Sequence, residues 1–179
     1  MGIRQAAAPV MRQNPHPSDP SVRRRLVFGA SGYIGTRLVP RLLAEGIAVR
    51  ASARDLRHLE GRDWPGVERV AADALVPESL EAALAEVDTA YYLVHSMAAG
   101  RGFSALDRRA ASHFARAAGR AGVRRIVYLG GLAPAGATSE HVVSRRQTGE
   151  ILRQGPVPVT ELRAGIIVGP GSAAFEVMR

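Results

Sequence analysis

The chain has 179 residues, 46% of them apolar and 22% charged, the balance of one globular domain that needs neither disulfides nor a structural metal. Cysteine is absent, and all 24 basic side chains counted as lysine plus arginine are arginine. These absences exclude thiolate metal sites, cysteine nucleophiles, Schiff-base lysines and any lysine proton relay. The net charge is +8, and half of it falls in residues 1–25, where five arginines face only Asp19.

Residues 1–24 contain four prolines and no apolar period, so they are expected to be a disordered basic leader before a single domain at 25–179. No apolar run behind those arginines resembles a secretory signal, and none approaches a membrane span. A cytoplasmic protein off the membrane is expected. The Arg23-Arg24-Arg25 run raises nucleic acid as a partner, but aromatic residues are only 5% of the chain and stacking platforms are few. A solvated charge run is the better reading.

From Arg25 onward, short β-branched runs alternate with helical patterns, the mark of βαβ units and a parallel sheet. Arg25–Phe28 is a first strand, apolar as a strand buried on both faces should be. A helix follows with Leu38, Val39, Leu42 and Leu43 on one face and Gly46 as its C-terminal cap; Pro40 inside it predicts a kink. Ala48–Ala53 reads as strand two and Val67–Ala72 as a poorer strand three. Pro77 opens a helix with Leu80, Ala83, Leu84 and Val87 at helical spacing. Thr89–Val94 is strand four, and a long helix over Ser104–Ala121 sets Arg108, Ser112, Arg116 and Arg120 opposite Ala110, Phe114, Ala117 and Ala118. Arg125–Leu129, Glu140–Gln154 and Val159–Arg163 are strand five, a helix and strand six, and residues 171–179 begin one more helix. Six strands linked by helices predict a doubly wound α/β sheet of the Rossmann type, order 3-2-1-4-5-6.

The first strand-to-helix turn is Gly-Ala-Ser-Gly-Tyr-Ile-Gly, residues 29–35. Gly29 can take the positive φ of a tight turn, and Gly32 removes a side chain that would block an approaching pyrophosphate. Gly35 lets the helix lie close on the sheet, its positive end toward the anion. Gly29, Ser31, Gly32, Tyr33, Ile34 and Gly35 are thus candidate cofactor-binding residues. After strand two comes Arg54 where NAD-selective folds place an acid; an arginine there can pair a 2′-phosphate and stack on adenine, so NADP(H) is favoured over NAD(H). The plain alternative is one more solvated arginine.

With its G-x-x-G-x-x-G spacing, Arg54 after strand two and Asp73 after strand three, the sequence resembles the extended and atypical short-chain dehydrogenase/reductases. Tyr92-Leu93-Val94-His95-Ser96-Met97 and residues 161–171 bring it nearest the NmrA-like or complex-I-subunit-like branch. The resemblance covers residues 25–179 and implies that Asp73 and Ala74 meet the adenine while Leu93, Val94 and His95 lie along ribose and pyrophosphate. His95 could equally be a polar residue ending a strand.

The resemblance also implies a serine after strand five and a Tyr-x-x-x-Lys pair on the next helix. Here Gly130-Gly131 and His141-x-x-x-Arg145 stand instead. Arg145 keeps a positive charge for a ribose hydroxyl but cannot shuttle a proton, whereas His141 brings an imidazole that can serve as a general acid. The ordinary reading of His141 is a solvent-facing helix residue. The expected function is an NADPH-dependent oxidoreductase with an altered triad and an unknown small-molecule acceptor. The alternative is a non-catalytic NADP(H) sensor or assembly factor. Little chain follows strand six, so either the substrate region belongs to a longer protein or the pocket is open. A homodimer through the long helix is possible by the same resemblance.

Overall fold

Five apolar and basic residues open the sheet as β1 (Arg24–Phe28), with Leu26, Val27 and Phe28 buried on both sides as a central parallel strand requires. The computed structural model describes residues 24–96, 100, 102–132, 134, 136 and 138–172. Residues 1–23 of the expected leader (1–24) and residues 173–179 of the helix expected over 171–179 lie outside these described residues, while Gly171 and Ser172 are in a turn and not helical. After β1 come α1 (Gly35–Ala44), β2 (Val49–Ala53), a 3-10 turn (Leu56–Leu59), β3 (Glu68–Ala71) and α2 (Pro77–Leu84). Then follow β4 (Val87–Tyr92), α3 (Phe103–Arg120), β5 (Arg125–Gly131), α4 (Glu140–Gln154) and β6 (Val159–Ala164). All five strand pairings are parallel, and the order is β3-β2-β1-β4-β5-β6. That is the doubly wound Rossmann arrangement expected from the alternating pattern.

Each face of the sheet carries its own core. Val39 and Leu42 of α1 close over Val27, Val49, Ala51, Leu59 and Trp64 on one side. On the other, Leu80 and Leu84 of α2, Phe114 of α3 and Leu152 of α4 close over Leu26, Phe28, Tyr92 and Tyr128. Phe114 sits edge-on to Tyr92 at 4.8 Å between ring centroids and 5.0 Å from Phe28, an aromatic knot directly beneath the carboxyl ends of β1 and β4. Helix α1 runs through the exposed Pro40 and ends as expected at Gly46 (φ 71°), whose N–H reaches the Leu43 carbonyl while Ile47 reaches Leu42.

Two readings shift. Val87 does not extend α2: the helix stops at Leu84, Ala85 turns out of it with ψ 132°, Glu86 follows with a left-handed φ of 58°, and Val87 becomes the first residue of β4, which ends at Tyr92 rather than Val94. Arg24 is not part of a solvated run but a buried strand residue. Its guanidinium reaches Glu68 at 3.1 Å and Glu86 at 2.8 Å, and Glu68 also pairs with buried Arg50 at 3.0 Å. Arg50 Nη1 in turn donates to the carbonyls of Ala82, Ala83 and Ala85 at 3.0, 3.1 and 2.6 Å, satisfying the open C-terminal end of α2. A cluster of this kind buries charge without leaving it alone.

Candidate active site

At the carboxyl ends of the strands the glycine turn opens two adjoining cavities of about 380 and 550 Å³. Gly29, Gly32, Leu93 and His95 form the rim common to both. The first cavity continues over Ser31, Arg54, Asp73, Ala74 and Val94. The second continues over Tyr33, Ile34, Gly35, His141 and Arg145. Every residue singled out from the sequence thus lines one cavity or both. This is the crevice outside the strand ends at the switch point between β1 and β4, where open α/β sheets bind ligands.

The turn has the shape a pyrophosphate needs. Gly29 has φ 96°, and a Cβ there would lie 2.9 Å from Val94 Cγ1. A Cβ on Gly35 would lie 2.5 Å from the Gly29 carbonyl oxygen. At Gly32 the only neighbour is that same oxygen, at 3.4 Å, so the space in front of it is open. The amides of Ser31, Tyr33 and Ile34 donate to no backbone carbonyl among the described residues, and they stand where α1 begins. Free N–H groups at a helix N-terminus beside a cavity fit a dinucleotide phosphate. The Tyr33 ring itself lies under the Arg37 guanidinium at 3.7 Å, so Tyr33 reaches the cavity from a fixed position.

In the first cavity Arg54 is exposed and holds no ion pair among the described residues. The neighbouring Asp55 is differently placed: its carboxylate accepts Arg57 Nε at 2.9 Å and Nη2 at 2.6 Å, and the Arg57 backbone N–H at 2.9 Å. Those hydrogen bonds hold the Asp55 carboxyl below its usual range. Asp73 turns one carboxylate oxygen to the Leu75 N–H at 2.8 Å, an Asx turn that fixes the loop beside Ala74.

In the second cavity Arg145 Nη2 donates to the Leu129 carbonyl, and its guanidinium lies 5.2 Å from the Tyr128 ring centre. Tyr128 Oη donates back to the Arg145 carbonyl at 2.9 Å, and burial pushes its phenol up to about 12. Arg145 is therefore anchored from both ends of its residue. His141 lies on the exposed first turn of α4 yet faces the same cavity. His95 keeps an exposed edge, but the shielding of the cavity walls, followed by the charges of Arg145 and His141, lowers its pKa below the usual histidine value. Of the paired glycines after β5, Gly130 has no room for a side chain, since its Cβ would fall 2.6 Å from Glu161 Oε1. Gly131 does have room: a Cβ there would meet Arg145 Cβ at 3.8 Å.

Several lining residues carry no signal in the sequence. Ser52 is buried under the first cavity with no hydrogen-bond partner for its hydroxyl among the described residues. Asp107 reaches the first cavity from α3. Leu132, Ile166 and Ile167 give the second cavity an apolar wall, with Ile166 81% exposed. Among the described residues there is no cluster of three metal-ligating side chains and no helix long and apolar enough to cross a membrane.

The turn, the switch-point crevice and the parallel sheet define a dinucleotide-binding α/β domain. Residues 29–160 match the NAD(P)H-binding family model, and the chain belongs to that family. It is 34% identical over 128 residues to sterol demethylase protein B of Methylococcus capsulatus, an alignment covering 65% of this chain and 38% of that protein. In fold it resembles triphenylmethane reductase of Citrobacter sp., solved with NADP(H), at TM-score 0.70 and 24% identity over 81% of this chain and 50% of that one. It also resembles WbmG of Bordetella bronchiseptica, solved with NAD and UDP, at TM-score 0.70 and 20% identity over 84% of this chain and 55% of that one. Its architecture is therefore one that reductases and an epimerase share. The chain spans about half the length of these solved structures and less of the sterol protein.

Proposed function

We propose that the chain is the cofactor domain of an NADPH-dependent oxidoreductase that works without the serine–tyrosine–lysine set that its resemblance to the short-chain dehydrogenase/reductases implies. What carries the reading is the contrast at the end of β2: Arg54 lines the first cavity with no ion pair among the described residues, while the next residue, Asp55, lies outside that lining and pairs with Arg57 at the surface. A guanidinium in that position suits a 2′-phosphate and repays it with charge-assisted hydrogen bonds. Gly29, Ser31, Gly32, Tyr33, Ile34 and Gly35 would hold the pyrophosphate, with Asp73 and Ala74 at the adenine and Leu93, Val94 and His95 along the sugar.

The bound nicotinamide would supply hydride. Arg145, held over Tyr128, would donate to the nicotinamide ribose and keep a fixed positive charge beside the reacting end. His141 would deliver the proton that accompanies reduction, from a helix turn that water reaches. The apolar wall of Leu132, Ile166 and Ile167 favours an acceptor with a large hydrocarbon body, in keeping with the sterol and the triphenylmethane named for two similar proteins. The reading places the protein in the cytoplasm, with homodimerisation through α3 open to sedimentation analysis.

A second reading, a non-catalytic NADP(H) sensor or assembly factor, draws on the departures at Gly130-Gly131, His141 and Arg145. Calorimetric titration with both dinucleotides tests the cofactor, and NADPH consumption against steroid ketones, triarylmethane dyes and quinones tests the chemistry. The expected results are NADPH binding at least about tenfold tighter than NADH and turnover of an apolar acceptor. Equal affinities overturn the NADP assignment, and tight binding with no turnover favours the sensor.

A further inference from the structure

Asp107 is the only acidic residue of α3, and it is 5% exposed. Its Oδ1 accepts the Ser96 N–H at 2.7 Å and its Oδ2 accepts the Ser144 hydroxyl at 2.8 Å. These donors belong to different parts of the chain. Ser96 follows His95 on the segment leaving β4, and fully buried Ser144 precedes Arg145 on α4. One carboxylate thus bridges the rim shared by both cavities to the helix that carries Arg145.

Adhesion alone does not require this charge. Ala110, Ala111 and Phe114 of α3 already pack against Tyr92 and Leu152, and a buried carboxylate is a poorer adhesive than an apolar side chain of similar size. What a carboxylate adds is direction: two short, charge-assisted bonds fix two donors at once in a way that an apolar contact does not.

We propose that Asp107 is a positioning residue that sets the spacing between His95 and Arg145 and so keeps the two halves of the cleft in register for one extended ligand. The inference rests on the reading of both cavities as a single dinucleotide cleft. The negative charge of Asp107 also acts on the His95 imidazole, against Arg145 and His141, which places it electrostatically within the same group.

Calorimetry on the full chain with two ligands, NADPH and the half-ligand 2′,5′-ADP, tests this. Asp107→Ala should weaken NADPH about tenfold and change 2′,5′-ADP by less than about twofold. Asp107→Asn should restore NADPH to within about threefold of the unaltered chain, because its Oδ1 still accepts from Ser96 and its Nδ2 can donate to the Ser144 oxygen. Ser144→Ala removes one arm and should fall between; it decides the matter if Asp107→Ala does not fold. Unchanged NADPH affinity in the folded variants overturns the proposal, as does an equal loss for both ligands, which is the mark of a merely structural role. If the unaltered chain binds 2′,5′-ADP but not NADPH, the single-cleft reading falls, and the positioning role falls with it.

Discussion

The first cavity is lined by Phe28, Ser52 and Tyr92 near the ends of β1, β2 and β4 and closed by Asp73 and Ala74 after β3 and by Leu106, Asp107 and Ala110 of α3, whereas the second relies on His141 and Arg145 of α4 and an apolar edge beyond β6. In the first, geometry is set in large part by residues at or just past the ends of paired strands, which the sheet holds in place. In the second, it is set by Arg145, whose position depends on a stacked phenol and two hydrogen bonds. On the proposed reading, the half that would recognise the common part of a cofactor is built into the fold itself, and the half that would meet a variable substrate is built from replaceable parts. Folds that host many chemistries divide their labour in this way.

The comparison can be broken most severely at the glycine turn. Gly35→Ala places a methyl 2.5 Å from one backbone atom and 2.6 Å from another, and should destabilise the chain by about 3 kcal/mol or more in urea titration. Gly32→Val meets only one oxygen at 3.4 Å. It should leave the melting temperature nearly unchanged while NADPH affinity falls at least about a hundredfold. If nucleotide affinity survives, the turn does not hold the phosphates. In the same cavity, Arg54→Ser should cost about tenfold in NADPH affinity and leave NADH untouched, a difference read by competition titration.

Smaller effects belong to the second cavity. Tyr128→Phe removes the 2.9 Å bond to the Arg145 carbonyl and should lower stability by about 1 kcal/mol, with a looser Arg145 seen as weaker NADPH binding. The smallest effect is a titration. His95 should show an NMR midpoint below the ordinary 6.5, and Arg145→Gln should raise it by removing a repelling charge. Because the folded value is the lower one, the unfolded chain takes up the proton first as pH falls through 6.5. Stability therefore declines from that point until the folded form is protonated too.

The first cavity was largely legible in the sequence because its signals are local. Three glycines at fixed spacing after an apolar run, and an arginine closing the next strand, can be read without knowing what lies across the sheet. Arg145 and His141 were legible only through a resemblance. Asp107 was not legible at all, since its partners lie 11 and 37 residues away and nothing in Leu-Asp-Arg-Arg separates a buried carboxylate from a solvated one. Arg24 and Arg50 were hidden for the same reason: in a chain whose every basic residue is arginine, a buried one looks like its neighbours. The start of β4 was missed through two residues, Ala85 and Glu86, whose turn out of the helix no composition rule foretells.

The two borders of the sheet differ in their behaviour toward other molecules. At one border β3 is four residues long and carries Glu68 and Arg69, a charged and unattractive seam. At the other, β6 has only β5 beside it among the described residues; it too carries an acid and an arginine, Glu161 and Arg163, but these pair with each other, and exposed Leu162, Ile166 and Val168 lie along and just past it. An outward row of main-chain donors and acceptors with greasy side chains is adhesive. In concentrated solution, clumping of this chain should begin at that border, and charged replacements at Leu162 and Ile166 should delay it.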